Sequence, residues 1–207
     1  MFMKTISDIL KDIETACDGE RISIDDLLEA FHERGFGFFL FIFALPAALP
    51  LPAIGVGTIL GIPLVFLTAQ QAIGRHTIWF PEKFRKKSMK RENVISLIEK
   101  ALPWTLRIEK FIKPRLNFVT QGSFSRMIGV CGFIMALSVC VPLPLTNTVP
   151  SFGIALMSVG ILMRDGLAVL AGALIGIIWV LVLYSILLFV GLEGIDLVKE
   201  GIKGIIQ

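Results

Sequence analysis

The sequence predicts an all-α integral membrane protein built from two duplicated, proline-broken helical hairpins, a C-terminal transmembrane helix and amphipathic interfacial helices. Three observations predict it. The 207 residues are 55% hydrophobic with a mean hydropathy of +0.78, above the roughly 45–50% apolar share of soluble domains. The charges are segregated: no Asp, Glu, Lys, Arg or His occurs in the 40 residues between Arg34 and Arg75, the 37 between Arg126 and Arg164, or the 27 between Asp165 and Glu193. A single span needs about 20 apolar residues, so the first two stretches each hold two passes or one hairpin, and the third holds one tilted helix. Finally, Pro-Leu-Pro interrupts both long stretches, at Pro50-Leu51-Pro52 and Pro142-Leu143-Pro144.

Residues 1–33 carry acidic, amphipathic helices. Ile6, Ile9, Leu10 and Ile13 keep helical spacing, as do Leu27, Leu28 and Phe31. Ser23 with Asp26 three residues later has the form of a capping box, with Asp in place of the stronger Glu. An uninterrupted apolar core followed by a small-residue cleavage site is lacking, so no secretory signal is expected.

Residues 34–75 form the first hairpin repeat and residues 126–166 the second. Sliding the chain by 92 positions sets Arg34, Gly37, Pro50, Leu51, Pro52, Gly61 and Gly74 on Arg126, Gly129, Pro142, Leu143, Pro144, Gly153 and Gly166. Two prolines around one leucine stop a helix. In hydrocarbon the freed carbonyls need partners, so the break has to lie within protein or beside a polar cavity. Each repeat therefore reads as a helix of about 15 residues, an apex and a second helix. At about 1.5 Å per residue, each arm reaches roughly 22–25 Å, so each repeat is either a re-entrant hairpin or a pair of short spans. A tight turn at the outer surface is the plainer alternative. Whether the repeats are parallel or inverted stays open.

Residues 76–125 are the basic segment. From Arg75 to Arg126 there are 13 Lys and Arg against 4 Glu, whereas residues 1–35 hold 4 basic and 9 acidic side chains. Lys and Arg beside spans set topology, which predicts a cytoplasmic central loop. The run KFRKKSMKR is also of a kind drawn to anionic headgroups. Helical stripes at Val94, Leu97, Ile98 and Ala101, then Leu106, Ile108, Phe111 and Ile112, predict interfacial helices. Nucleic acid is not an expected partner, since no recognition motif accompanies the charge. Residues 167–192 form the final span, in which Gly172 and Gly176 make G-x-x-x-G. This is either a homodimer face or the face that receives the hairpins. Residues 193–207 form a C-terminal tail.

The apices gather polar groups. Thr58 follows the first, while Thr146, Asn147 and the helix-breaking Pro150 follow the second. Duplicated Gly/Pro-broken segments point to a transporter's substrate site, with Gln70, Arg164 and Asp165 near its entrance. The structural alternative for each of these is a turn or satisfied interfacial residue. Cys17, Cys131, Cys140, His32 and His76 show no metal spacing, so neither a metal nor a cofactor is expected. Hydrolase and nucleotide-binding motifs are lacking, so the chain reads as no enzyme.

An ordered series of residues resembles the ExoD-type exopolysaccharide-synthesis family. It comprises Arg34-Gly35-Phe36-Gly37, Gly61-Ile62-Pro63-Leu64, Gln70 with Gly74-Arg75, Trp79-Phe80-Pro81 and Pro103-Trp104. It continues through Glu109, Lys113-Pro114-Arg115-Leu116, Pro142-Leu143-Pro144, Asn147 with Pro150, and Arg164-Asp165-Gly166. Gly57 and Thr146 depart from the family's pattern. The resemblance implies a bacterial inner-membrane protein linked to exopolysaccharide production, and it names no reaction. Two functions are then expected. One is a small transporter of a polar or exopolysaccharide-related substrate. The other is an accessory protein whose partners, beyond the lipid bilayer, are exopolysaccharide-assembly proteins.

Overall fold

The computed structural model describes residues 20–31, 34–49, 56–93, 95–96, 114–141 and 146–206, with the backbone alone for Ala30, Val56 and 192–206. The predicted helix at Ile6–Ile13, the stripe from Leu97 to Ile112, Val94, His32, Cys17, and Pro50, Pro52, Pro142 and Pro144 lie outside the described residues.

Strand β1 (Arg21–Ser23) leads into helix α1 (Ile24–Phe31). The capping box forms: Ser23 N donates to Asp26 Oδ2 at 2.7 Å, and Asp26 N donates to Ser23 Oγ at 3.2 Å. Helices α2 (Gly35–Ala48) and α3 (Val56–Ala72) occupy the first charge-free stretch. A short helix α4 (Glu82–Arg85) and strand β2 (Ser88–Lys90) follow in the basic segment. Helices α5 (Gly122–Cys140) and α6 (Thr148–Met163) occupy the second stretch, and α7 runs from Gly166 to Ile206.

Helix ends follow from proline. Leu49 and Val141, the residues before Pro50 and Pro142, are extended, with φ/ψ of −72°/137° and −78°/121°, because a following proline excludes the helical region. The ends of α2 and α5 at Ala48 and Cys140 lie 92 positions apart, and so do the starts of α3 and α6 at Val56 and Thr148. Pro150 does not break a helix. It stands buried in the first turn of α6, where an amide would find no acceptor in its own helix.

Packing is crosswise. Helix α2 lies mainly on α6 and α3 on α5, while α7 covers α6 and touches α5. Small residues set the distances: a Cβ on Gly37 would stand 2.8 Å from the Ser158 carbonyl oxygen, and one on Gly129 would collide with the Gln71–Ala72 backbone. Leu40, Ala44, Leu64, Leu67, Met135, Ala136, Val139 and Ile154 fill the space between. The outer faces are equally apolar, with Ile42, Ile59, Ile62, Ile134, Leu137 and Phe152 exposed.

Helices α5 and the Gly166–Gly191 part of α7 are long and apolar enough to cross a membrane. Only 17% of the apolar window in α7 is buried, the reverse of a soluble core helix, and this marks the chain as membrane-associated. Gly153 meets Gly172 and Gly176, and Gly160 meets Val169, so α6 and α7 run antiparallel. Val180 is the last buried side chain described on α7, level with the start of α6, and every side chain described beyond it is exposed or half-exposed.

Two features go beyond the sequence expectation. β1 pairs antiparallel with β2, Arg21 opposite Lys90 and Ser23 opposite Ser88, so the fold is helical with one small ladder. The helix that holds the last apolar stretch continues past Gly191 to Ile206. Leu192, Ile195, Val198 and Ile202 keep helical spacing there, and no proline intervenes.

Gly172→Val is expected to cost about 1–3 kcal/mol through overpacking, because its Cβ would stand 2.5 Å from the Gly153 carbonyl and 2.8 Å from the Met157 nitrogen. Gly191→Val meets nothing within 4 Å. Thermal unfolding in detergent, followed by size-exclusion, should show a lower midpoint for the first substitution alone.

Candidate functional site

The two charge-free hairpins meet at their tips. Helix C-termini leave carbonyls without partners, and neighbouring hydroxyls supply them. Thr58 Oγ1 donates to the Cys140 carbonyl at 3.1 Å. Ser138 Oγ donates to the Thr146 carbonyl at 3.2 Å, and Thr146 Oγ1 donates to the Val141 carbonyl at 2.8 Å while lying 3.2 Å from Asn147 Oδ1. Thr146 is fully buried. Asn147 precedes α6 but makes no side-chain cap to it. Its carboxamide instead lies so close to Gly57 that a Cβ there would overlap it.

One turn into α6, the Ser151 hydroxyl is fully buried and has no hydrogen-bond partner. Such a group costs about 1–3 kcal/mol. The tip therefore combines hydroxyls and one carboxamide, all neutral, with hydrogen-bonding capacity left over.

The opposite end of the hairpins is charged and tightly pinned. Gln70, buried at the end of α3, receives the Trp79 N–H on Oε1 at 2.7 Å and donates from Nε2 to the Trp79 carbonyl at 3.2 Å. One side-chain amide thus satisfies both backbone groups of Trp79, and residues 78–80 fold back along the helices. Ile78 joins the core, and the Phe80 ring packs 5.5 Å from Phe39 and 6.0 Å from Phe66. Gln71 Nε2 reaches Ser125 Oγ at 3.5 Å. Gly74, at φ +84°, turns the chain beneath the Arg126 guanidinium, where no Cβ would fit.

Between α6 and α7, Arg164 adopts a left-handed conformation (φ 53°, ψ 35°) that ends α6. The buried Asp165 carboxylate accepts from Leu167 N at 3.0 Å and Ala168 N at 3.4 Å, capping α7. An acidic group at a helix N-terminus also complements the helix dipole. Burial, and then the like charge of Arg164, push the Arg34 guanidinium below its ordinary value.

The residues predicted from sequence thus fall into two groups. Thr58, Thr146 and Asn147 come together at the tip, while Gln70, Arg164 and Asp165 belong to the opposite end. Gly172 and Gly176 face Gly153, Met157 and Met135 of their own chain. Ser138 was not singled out in the sequence, where an isolated serine in an apolar run carries no signal of its own. Among the described residues, no three His, Cys, Asp or Glu side chains gather in a way that could hold a metal ion.

The family model described as "Exopolysaccharide synthesis, ExoD" matches residues 6–185. The chain belongs to the ExoD family. A relative described as an uncharacterized protein, from Synechocystis sp. (strain ATCC 27184 / PCC 6803 / Kazusa), is 34% identical over 191 residues, covering 89% of this chain and 89% of its own. Protein ExoD of Rhizobium meliloti (strain 1021) is 27% identical over 173 residues, covering 82% of this chain and 72% of its own. No solved structure matches the chain. The ExoD family is thus the link between this fold and exopolysaccharide synthesis.

Gln70→Ala should release Trp79 and cost about 1–3 kcal/mol, the penalty for buried groups left unpaired. Gln70→Glu should cost at least as much, because a carboxylate cannot donate to the Trp79 carbonyl. Limited proteolysis between Arg75 and Arg91 is expected to accelerate in both variants.

Proposed function

We propose that this ExoD-family protein is a multi-pass bacterial inner-membrane transporter in which two re-entrant hairpins, duplicates of one another, form a site for a polar substrate of exopolysaccharide synthesis. The observation that carries the proposal is one of depth. By the contacts of Gly153 with Gly172 and Gly176 and of Gly160 with Val169, the start of α6 lies level with Val180, yet the apolar part of α7 continues to Gly191, about 16 Å farther at about 1.5 Å per residue. The hairpin arms of 14 and 17 residues in the first repeat reach about 21–25 Å, against a hydrocarbon thickness of about 30 Å. A bilayer that accommodates α7 therefore covers the tips, which favours re-entrant hairpins over surface turns.

Polar groups at such depth are costly unless they serve a path or a site. Thr58, Thr146 and Asn147, with the unpaired Ser151 hydroxyl, fit substrate contacts in that position. The matched helix boundaries support duplication. Because α2 starts beside the end of α6 and α5 starts beside the end of α3, both hairpins open in one direction, which favours parallel repeats. The excess of Lys and Arg between Arg75 and Arg126 supports a cytoplasmic position for that opening.

The accessory reading has its own support. Gln70 and Asp165, expected near a substrate entrance, spend their hydrogen bonds on the Trp79 backbone and the α7 N-terminus. Those contacts suit a rigid membrane scaffold for exopolysaccharide assembly.

Side-specific labelling separates the readings. Thr58→Cys and Asn147→Cys, each with Cys17, Cys131 and Cys140 replaced by Ser, should react with a membrane-impermeant maleimide from either face in turn if the tips line a path. Reaction from the outer face alone would make them surface turns. Reaction from neither, together with co-purifying assembly enzymes, would favour the accessory role.

A further inference from the structure

The basic segment has a shape that transport does not require. Gln70 holds Trp79 by both backbone groups, while Ile78 and Phe80 on either side enter the helix core. The chain is thereby fixed against the flank of the hairpins, and α4 and β2 follow directly from this anchor. The ladder to β1 then holds the far end of the run: Arg21 donates to Ser88 Oγ at 2.9 Å and to the Ser88 carbonyl at 3.1 Å.

Between these two fixings, cations alternate with apolar side chains on an exposed surface. Lys83, Lys86, Lys87 and Lys90 are exposed, and so are Trp79, Phe84 and Met89, each near 50%. Lys87 Nζ lies 4.9 Å from the Phe84 ring centre, and the Arg75 guanidinium 6.0 Å from the Trp79 ring centre. The acidic side chains described on the adjoining segment around β1 and α1 are Glu20, Asp25, Asp26 and Glu29. Asp25 pairs with Arg85, Glu82 lies 3.9 Å from Lys86, and Glu92 closes the run. Lys83, Lys87 and Lys90 have no acidic partner among the described residues.

We infer that this ridge, from Trp79 to Lys90, is a docking surface for the phosphate headgroups of anionic phospholipids in the bilayer that holds the protein. The inference rests on the membrane-embedded reading above. Trp79, Phe84 and Met89 sit where apolar and aromatic rings enter the headgroup layer. The lysines then meet the phosphates with their stems along the apolar surface. A tethered polybasic loop would only be attracted on average. A ridge pinned at both ends presents its cations at one depth and in one register, so it collects an anionic lipid annulus at one flank of the hairpins.

The test uses the full chain in vesicles of one mixed composition, phosphatidylglycerol with phosphatidylcholine, in which either lipid carries bromine. Two single-tryptophan forms are compared: Trp79 alone (Trp104→Phe, Trp179→Phe) and Trp179 alone (Trp79→Phe, Trp104→Phe). Brominated phosphatidylglycerol should quench Trp79 more than brominated phosphatidylcholine does, by a factor above about two, since each cation at an anionic surface is worth about fivefold in binding. Trp179 should be quenched equally by both lipids. The triple substitution Lys83→Gln, Lys87→Gln, Lys90→Gln should bring the Trp79 ratio to about one, as should raising salt to about 1 M, where the Debye length falls to about 3 Å. The corresponding triple Lys→Arg variant should keep the preference. Equal quenching of Trp79 by the two lipids, with Trp179 quenched, would overturn the lipid assignment and leave the membrane reading standing. A Trp179 that neither lipid quenches would overturn both.

Discussion

The charge-free stretches of these helices cannot be joined by ion pairs. Close backbone approach joins them instead, and it is the contact that would hold them in lipid, where burying carbon against another helix gains little over acyl chains. Gly37 on Ser158, Gly129 on the Gln71–Ala72 backbone, and Gly153 between Gly172 and Gly176 are the points at which this happens. The crosswise pairing of α2 with α6 and α3 with α5 depends on the first two, and the seat of α7 on the third. Helices this close also end close together. The carbonyls at the end of α5 then find donors at the tip: Cys140 from Thr58 of the other hairpin and Val141 from Thr146 of the same one.

The two ends of the hairpin pair solve the same satisfaction problem with different chemistry. At the tips the donors are short neutral hydroxyls working over a few residues of backbone. At the opening the groups are longer or charged: the Gln70 carboxamide, the Asp165 carboxylate and the arginines at positions 34, 126 and 164. Only at the second end does the sequence carry charge. The ladder between Arg21–Ser23 and Ser88–Lys90 extends this polar end by bringing the acidic N-terminal segment onto the basic run. The exposed Asp25–Arg85 pair is worth at most about 1 kcal/mol by itself and aligns the segments more than it stabilises them.

Much of the fold was legible because proline, charge and capping are local signals. The charge-free stretches marked the helices, the residues before Pro50 and Pro142 marked their ends, and Ser23 with Asp26 marked the start of α1. Pairing was less legible. These helices are apolar on every face, so periodicity does not tell which side meets a neighbour, and the glycines alone hint at it. Strands of three residues, RIS and SMK, lie below any pattern that alternation can establish. At the site, Thr58, Thr146 and Asn147 could be grouped from the two Pro-Leu-Pro breaks. The bond from Gln70 to Trp79 could not, because it depends on the chain reversing after Gly74 at a positive φ.

The crosswise pairing carries a cost in time. Neither hairpin contains the main packing partners of its own helices, since α2 waits for α6 and α3 for α5, each supplied by the other repeat. The second repeat follows the first by 92 residues, which the ribosome needs about 5–20 s to add at about 5–20 residues per second. During that interval the first hairpin has its glycine notches open and its Thr58 hydroxyl without the Cys140 carbonyl that later accepts from it. Synthesis of this protein therefore includes a half-built stage, seconds long, in which the first hairpin lacks its main packing partners.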